Sequence, residues 1–386
     1  MAQVSTATAT LPVSSQEPTA TPQRLMSLDV FRGATMALMV LVNDPGGPVS
    51  YPPLEHSRWD GWTPTDVVFP SFLWIVGVAM TLSLGKRIAA GVSRGKLFAQ
   101  ILRRSIVLYV LGLIVYAYPF NLHTQRLLGV LQRIAICYLV AGCIYLTTRL
   151  RGQIIWIGSL LAVYWVLMMM VPVPGYGAGH LDVQSNFAHY IDSIVLGSHN
   201  YRPTRTWDPE GIISTLPAIA TALFGVMAGQ ILRLRKTLEE RTTWLFLAGN
   251  LLMAAGVILN AWMPINKKLW SDSFSLFMAG LDFVMFAISL WLIDGRGYKR
   301  FTKPLAIMGM NAIAVYMVSE LLAEALEVVR WPSGGETVSL HGWLYQHLFA
   351  WYASPANASL LFALAYVLLM YALAYGMYRR NWFVRV

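Results

Sequence analysis

Ten stretches of the chain are almost unbroken in apolar residues: 27–43, 66–84, 104–119, 127–147, 153–171, 212–232, 243–262, 270–293, 304–326 and 358–378. Most reach roughly 18 residues, the length an α-helix needs to cross a bilayer core of about 30 Å. The polar connections between them leave no room for a soluble domain. Two longer ones, 172–211 and 327–357, are rich in Gly, Pro, Trp and Tyr. The pattern predicts an all-α integral membrane protein of about ten transmembrane helices.

Lys and Arg fall mainly after every second apolar run. They include Lys86, Arg87, Arg94 and Lys96 after the second, Arg149 and Arg151 after the fourth, and Arg233, Arg235, Lys236 and Arg241 after the sixth. Arg296, Lys299, Arg300 and Lys303 follow the eighth, and Arg379, Arg380 and Arg385 the last. Short cytoplasmic loops carry such an excess, so both termini are expected in the cytoplasm. The Ser-, Thr-, Ala- and Pro-rich start of the chain has no apolar core and predicts a disordered cytoplasmic tail over 1–26, with one transmembrane domain over 27–386.

Composition sharpens this picture. The 386 residues are 56% hydrophobic and 12% charged, with mean hydropathy +0.53, against about 25% charged in soluble domains. The net charge of +10 follows the topology of the loops, so a nucleic-acid partner is not expected. Cys137 and Cys143 share one apolar run and read as packing residues, with neither a disulfide nor a metal site expected.

One connection departs from the economy of the rest. Residues 43–70 read NDPGGPVSYPPLEHSRWDGWTPTDVVFP. Its prolines and glycines forbid a regular helix and fix the backbone around a single histidine, His56. An imidazole titrates near neutrality and suits proton transfer, whereas most loop histidines are merely solvated. Glu55, Asp60 and Asp66 are near enough in sequence to orient the ring. Asn43 reads equally as a helix C-cap or as an amide donor to a developing oxyanion. Asp29 and Arg32 lie near the start of the first span, where snorkelling to headgroups is the cheaper explanation. Arg133 sits about six residues inside the fourth span and should face the bundle interior. Asp208 and Glu210 (WDPEGI) precede the sixth run and read first as helix caps. Lys267, Lys268 and Trp270 open the eighth as an interfacial anchor, and Asn311 and Glu320 lie within the ninth.

The blocks SLDVFRG, LMVLVN and LEHSRWDGWTPTDVVFPSFLWIVGVAM resemble the signature of the heparan-α-glucosaminide N-acetyltransferase family. RLLGVLQRIAICYL, VPVPGYG, WDPEGI, INKKLWS and GMNAIAVY continue the resemblance in the family's order. It implies transfer of acetyl from cytosolic acetyl-CoA to the amino group of a glucosamine-type sugar across the membrane. The family's active-site histidine matches His56 and its asparagine Asn43. His56 would act as general base or as acetyl carrier. On this reading Arg32, Lys86, Arg103, Arg104 and Arg133 would hold the phosphates of acetyl-CoA. Trp59, Asp60, Asp208, Glu210, Lys268, Trp270 and Asn311 would face the acceptor. The short polar start resembles bacterial members, so a bacterial inner membrane is expected. Gly- and Ala-rich helix faces add a homodimer to the expectations. The rival class is a transporter of amino sugars or another small solute, with the polar loop as its gate and Arg133 and Glu320 along its path.

Overall fold

The computed structural model describes residues 25–118, 120–300, 302–333 and 336–384. Most of the expected tail, and Arg385, lie outside these. Thirteen α-helices run in order among the described residues: α1 (Met26–Asn43), α2 (Val68–Ala89), α3 (Arg94–Val115), α4 (Val130–Thr147), α5 (Leu150–Met169), α6 (Phe187–Val195), α7 (Thr215–Leu232), α8 (Leu238–Leu259), α9 (Asp272–Leu290), α10 (Thr302–Met310), α11 (Ala312–Val328), α12 (Leu340–Tyr345) and α13 (Pro355–Arg379). Nine of them are long and apolar enough to span a membrane, and α10 with α11 forms a tenth, broken span. The fold is an all-α integral membrane protein.

Two elements differ from the sequence expectation. The ninth span is two helices bent by 78°. Asn311 leaves helical geometry at the break (φ −120°, ψ 31°), and its amide donates to Trp382 O and accepts from Val384 N, both at 3.1 Å. The tail thereby supplies the hydrogen bonds that a broken helix needs. Helix α3 begins at Arg94, ten residues before the predicted run, because charged residues continue a helix beyond the apolar stretch. Arg103 and Arg104 consequently lie within α3. The 327–357 connection holds an antiparallel hairpin of β1 (Arg330–Ser333) and β2 (Glu336–Ser339), pairing Arg330 with Ser339.

Helices α2 and α7 are buried round most of their circumference, whereas α3, α5, α8 and α13 turn apolar faces outward. Ile155, Leu251, Ile258 and Leu368 on these outer faces are more than half exposed, as lipid-facing residues are. Three tight pairs meet at glycines: Gly33 with Gly309 (α1, α10), Gly77 with Gly225 (α2, α7), and Gly249 with Gly280 (α8, α9). A Cβ on Gly77 would stand 2.0 Å from Ala222 O, and one on Gly225 2.0 Å from Trp74 O. Membrane helices gain no hydrophobic drive from lipid, so such close approach supplies the packing instead.

Because α1 ends and α2 begins at the same end of the bundle, the His56 loop lies there. Lys86, at the last turn of α2, lies at the other end.

Candidate active site

The connection that carries His56 is pinned at two places. Residues 44–48 dock on α13, where Gly46 N donates to Ser359 O and Gly47 N to Ser359 Oγ, both at 3.3 Å. Residues 58–61 zip to 265–268: Gly61 N donates to Ile265 O at 2.7 Å, Asn266 Nδ2 to Asp60 Oδ1 at 3.2 Å, and Lys268 Nζ to Arg58 O. Gly61 is the residue this zipper needs, with φ +90°.

His56 Nδ1 lies 2.7 Å from Asp66 Oδ1, with the imidazole half exposed and the carboxylate buried. Asp66 also accepts from the backbone N–H of Ser57 and Thr63 at 3.1 and 3.0 Å, closing a capping box before α2. A carboxylate accepts only, so Nδ1 carries the proton and Nε2 presents its lone pair.

Lys267 Nζ lies 3.5 Å from the same Asp66 oxygen and 3.2 Å from Nδ1. With Nδ1 protonated, its hydrogen bond belongs to the carboxylate. Burial holds the Lys267 ammonium below the usual lysine range, while the negative charges of Asp66 and Glu210 pull it back up. Lys267 reaches the site from a turn closed by Trp270 N donating to Lys267 O at 3.0 Å. Trp270 takes a left-handed φ of 52°, costly for a bulky residue. Its packing holds it there: the indole donates to Thr221 Oγ1 at 3.1 Å, Phe69 and Phe274 stand edge-on, and the Arg133 guanidinium lies 5.1 Å from the ring centroid.

Beside this triad sits a second charged cluster. Arg126 donates to both oxygens of Asp208, from Nε at 2.8 Å and Nη2 at 2.6 Å, and also to Glu210. Its guanidinium lies over the rings of Tyr116 and Tyr201, at 4.8 and 4.3 Å from their centroids. Burial alone would raise the Glu210 carboxyl, but Arg126, Arg133 and Lys267 together hold it below the usual glutamate range. Asp192 on α6 shapes the loop, accepting from Asp208 N at 3.3 Å and Ile212 N at 3.0 Å. Asn43 ends α1 and donates from Nδ2 to Glu320 Oε1 at 3.2 Å. The charges form one series of electrostatic neighbours: Lys267 with Glu210, Glu210 with Arg126, and Arg126 with Glu320.

Several sequence expectations change here. Asp208 and Glu210 do not cap α7, which starts at Thr215 without a side-chain cap; Arg126 takes both carboxylates instead. Asp208 and Trp270 are 2% and 1% exposed, so neither faces outward. Asn311 is committed to the carboxy-terminal segment. Asn43 is not a left-handed cap, since Asp44 follows at φ −118°. Trp59 donates to Leu181 O at 3.1 Å and meets Trp207 edge-on at 5.7 Å, with the Lys268 ammonium 5.9 Å from its ring centroid. Asp60 is taken up by Asn266.

The five basic residues expected around acetyl-CoA are not gathered in one place. Arg133 is fully buried at the His56 end, donating to Gly211 O at 3.1 Å and to the Ser214 hydroxyl. Arg32 pairs with Asp29 at 3.6 Å near the start of α1. Arg104 lies over Tyr138 at 4.9 Å, and Lys86 and Arg103 are exposed. Sequence reading missed Arg126 altogether, although it opens the RLLGVLQRIAICYL block, and it read Lys267 only as an anchor.

The family model for heparan-alpha-glucosaminide N-acetyltransferase, catalytic, matches residues 24–257. The chain belongs to this family. The matched region holds Asn43, His56, Asp66, Arg126, Arg133, Asp208 and Glu210, and stops short of Lys267 and Glu320. The heparan-alpha-glucosaminide N-acetyltransferase of Homo sapiens is 30% identical over 357 residues, and that of Mus musculus 31% over 354. Each alignment covers 78% of this chain, and 53% and 54% of the relatives. The chain thus spans about half the length of the curated relatives it matches.

Proposed function

We propose that the protein is a transmembrane N-acetyltransferase that carries acetyl from acetyl-CoA to the amino group of a glucosamine-type sugar. The observation that carries the reading is the His56–Asp66 pair, which fixes the imidazole tautomer and leaves Nε2 unshared in a half-exposed position beside Lys267. Family membership supplies the reaction class.

A thioester carbonyl attacked by an amine needs a base for the nitrogen's proton and donors for the oxyanion. Nε2 of His56 takes the proton as the tetrahedral centre forms, or takes the acetyl group first and passes it on. A burst of CoA release in the absence of acceptor marks the second route. Asn43 uses one amide hydrogen on Glu320 and keeps the other for an oxyanion. Arg32, Lys86, Arg103 and Arg104 would hold the CoA phosphates away from the His56 end, with the pantetheine arm running between the helices toward Arg133 and His56.

The membrane would be a bacterial inner membrane, and the loop cations after α2, α4, α7 and α9 favour one orientation in it. Their end, with both termini, would be cytoplasmic, and His56 would open to the periplasmic side.

The test is acetyl transfer from labelled acetyl-CoA to glucosamine by protein purified in detergent, wild type against His56→Ala. Transfer by the wild type and none by the folded variant supports the reading. Equal transfer by both removes His56 from the chemistry, and no transfer by either across several amino sugars removes the activity.

A further inference from the structure

Lys267 and His56 share one oxygen. The ammonium lies 3.5 Å from Asp66 Oδ1, the atom that accepts from Nδ1, and 3.2 Å from Nδ1 itself. The second Asp66 oxygen already accepts from the N–H groups of Ser57 and Thr63. The lysine side chain is 18% exposed, against 49% for the imidazole, so little water screens the ammonium from the ring. Its turn is braced by Asn266, whose Oδ1 accepts from Leu269 N at 2.9 Å and whose Nδ2 reaches Asp60. The tautomer needs Asp66 alone. A cation held this close to Nδ1 bears instead on how the ring carries charge.

The charges can be counted. With the imidazole neutral, Asp66 and Lys267 cancel. Once Nε2 has taken a proton, two cations flank one carboxylate and the group is left with a positive charge. Asp66 without Lys267 would give the reverse, a cancelled pair only when the ring is charged, and so would favour the imidazolium. Other charges facing the lysine come from Lys268 beside it and from Glu210 in the loop before α7. Lys268 is committed to Arg58 O and Glu210 to Arg126, so the balance at the ring lies with Asp66 and Lys267.

We infer that Lys267 is a positioning residue of the transfer, which through Asp66 keeps His56 a free base until the acceptor attacks and makes the imidazolium short-lived afterwards. The inference rests on the acetyl-transfer reading. Nε2 takes the proton of the acceptor nitrogen as the carbon–nitrogen bond forms, and returns it to the thiolate sulfur as the carbon–sulfur bond breaks. Lys267 keeps its own protons throughout and assists only by its charge. The count is the same for an acetyl group carried on Nε2, which leaves the ring equally cationic and ready to give the group up.

The experiment reads the ring without relying on turnover. Diethyl pyrocarbonate acylates neutral imidazole, and its rate at His56 is followed from pH 5 to 8 by the mass of the peptide that carries the residue. In Lys267→Met the pH of half-maximal rate is expected to rise by about 1 unit or more, and the acid limb of kcat/KM for acetyl transfer should move with it. Lys267→Arg, which keeps the charge, should stay near the wild type. A purely structural lysine would lower the melting temperature and leave both pH profiles in place. If Lys267→Met does not fold, Lys267→Gln carries the same comparison. A folded neutral variant with the wild-type acylation profile and working acetyl transfer overturns the role of Lys267 and leaves the parent reading standing. A shifted acylation profile with no acetyl transfer by the wild type supports the charge relation at His56 and removes the parent reading.

Discussion

His56 Nδ1 and Asp66 Oδ1 are 2.7 Å apart across ten residues of sequence, and the bond decides which nitrogen of the neutral imidazole carries the proton. Asparagine at position 66 offers an N–H toward Nδ1, which moves the proton to Nε2 and removes the lone pair. Asp66→Asn should lower kcat by about 10²–10⁴-fold, with acetyl-CoA binding little changed. Steady-state kinetics on the folded variant check this; a loss of less than tenfold would show that the tautomer is not set by Asp66.

Arg126 is the sole ion-pair partner of Asp208 and Glu210 among the described residues. Arg126→Gln removes the ion-pair partner of two buried carboxylates and leaves them only the less direct charges of Arg133 and Lys267, at a cost on the order of 3–5 kcal/mol. Thermal unfolding in detergent should show a large drop at neutral pH that shrinks as the medium is acidified and the carboxylates protonate. Lysine should rescue it only in part, because it cannot bond both Asp208 oxygens in one plane.

Asp44 gives the stability a pH signature. Its folded value of about 8 stands above the ordinary 3.8. From about pH 4 to about pH 8 the folded state therefore holds a proton that the unfolded state has lost, and stability falls as pH rises through that window. Asp44→Asn lacks this loss. The melting temperature of the variant minus that of wild type should grow from pH 5 to pH 8 and then level off. A constant difference would show that Asp44 ionises normally.

Helix contact at Gly225 leaves no room for a side chain, since a Cβ would meet Trp74 O at 2.0 Å. Gly225→Val should destabilise by about 1–3 kcal/mol or more, as overpacking does. Gly158→Ala on α5, where nothing lies within 4 Å, should be neutral or slightly stabilising. Equal melting shifts for the two would contradict the packing described for α2 and α7.

Legibility followed the range of the physics. The spans at α2, α4, α7 and α9 were readable because each registers in its own run of apolar residues. His56 stood out because prolines and glycines act on the backbone beside them. Arg133 was readable as interior from its depth in an apolar run. Lys267 was not readable as a partner of His56, because 211 residues separate them and a lysine beside a tryptophan equally describes an interfacial anchor. Arg126 carried no local sign of its two carboxylates, which arrive from a loop 82 and 84 residues away. The break at Asn311 was hidden inside a run whose hydropathy suits one continuous helix.

The sequence by itself determined the membrane-spanning, all-helical class and the histidine-bearing loop, since hydropathy and backbone stiffness are properties of neighbouring residues. Only the tertiary structure decided which polar and charged groups face one another: Asp66 and Lys267 on His56, Arg126 on Asp208 and Glu210, Asn43 on Glu320. Ion pairs and hydrogen bonds act over a few ångströms, and the segments that supply them become neighbours only when the helices pack.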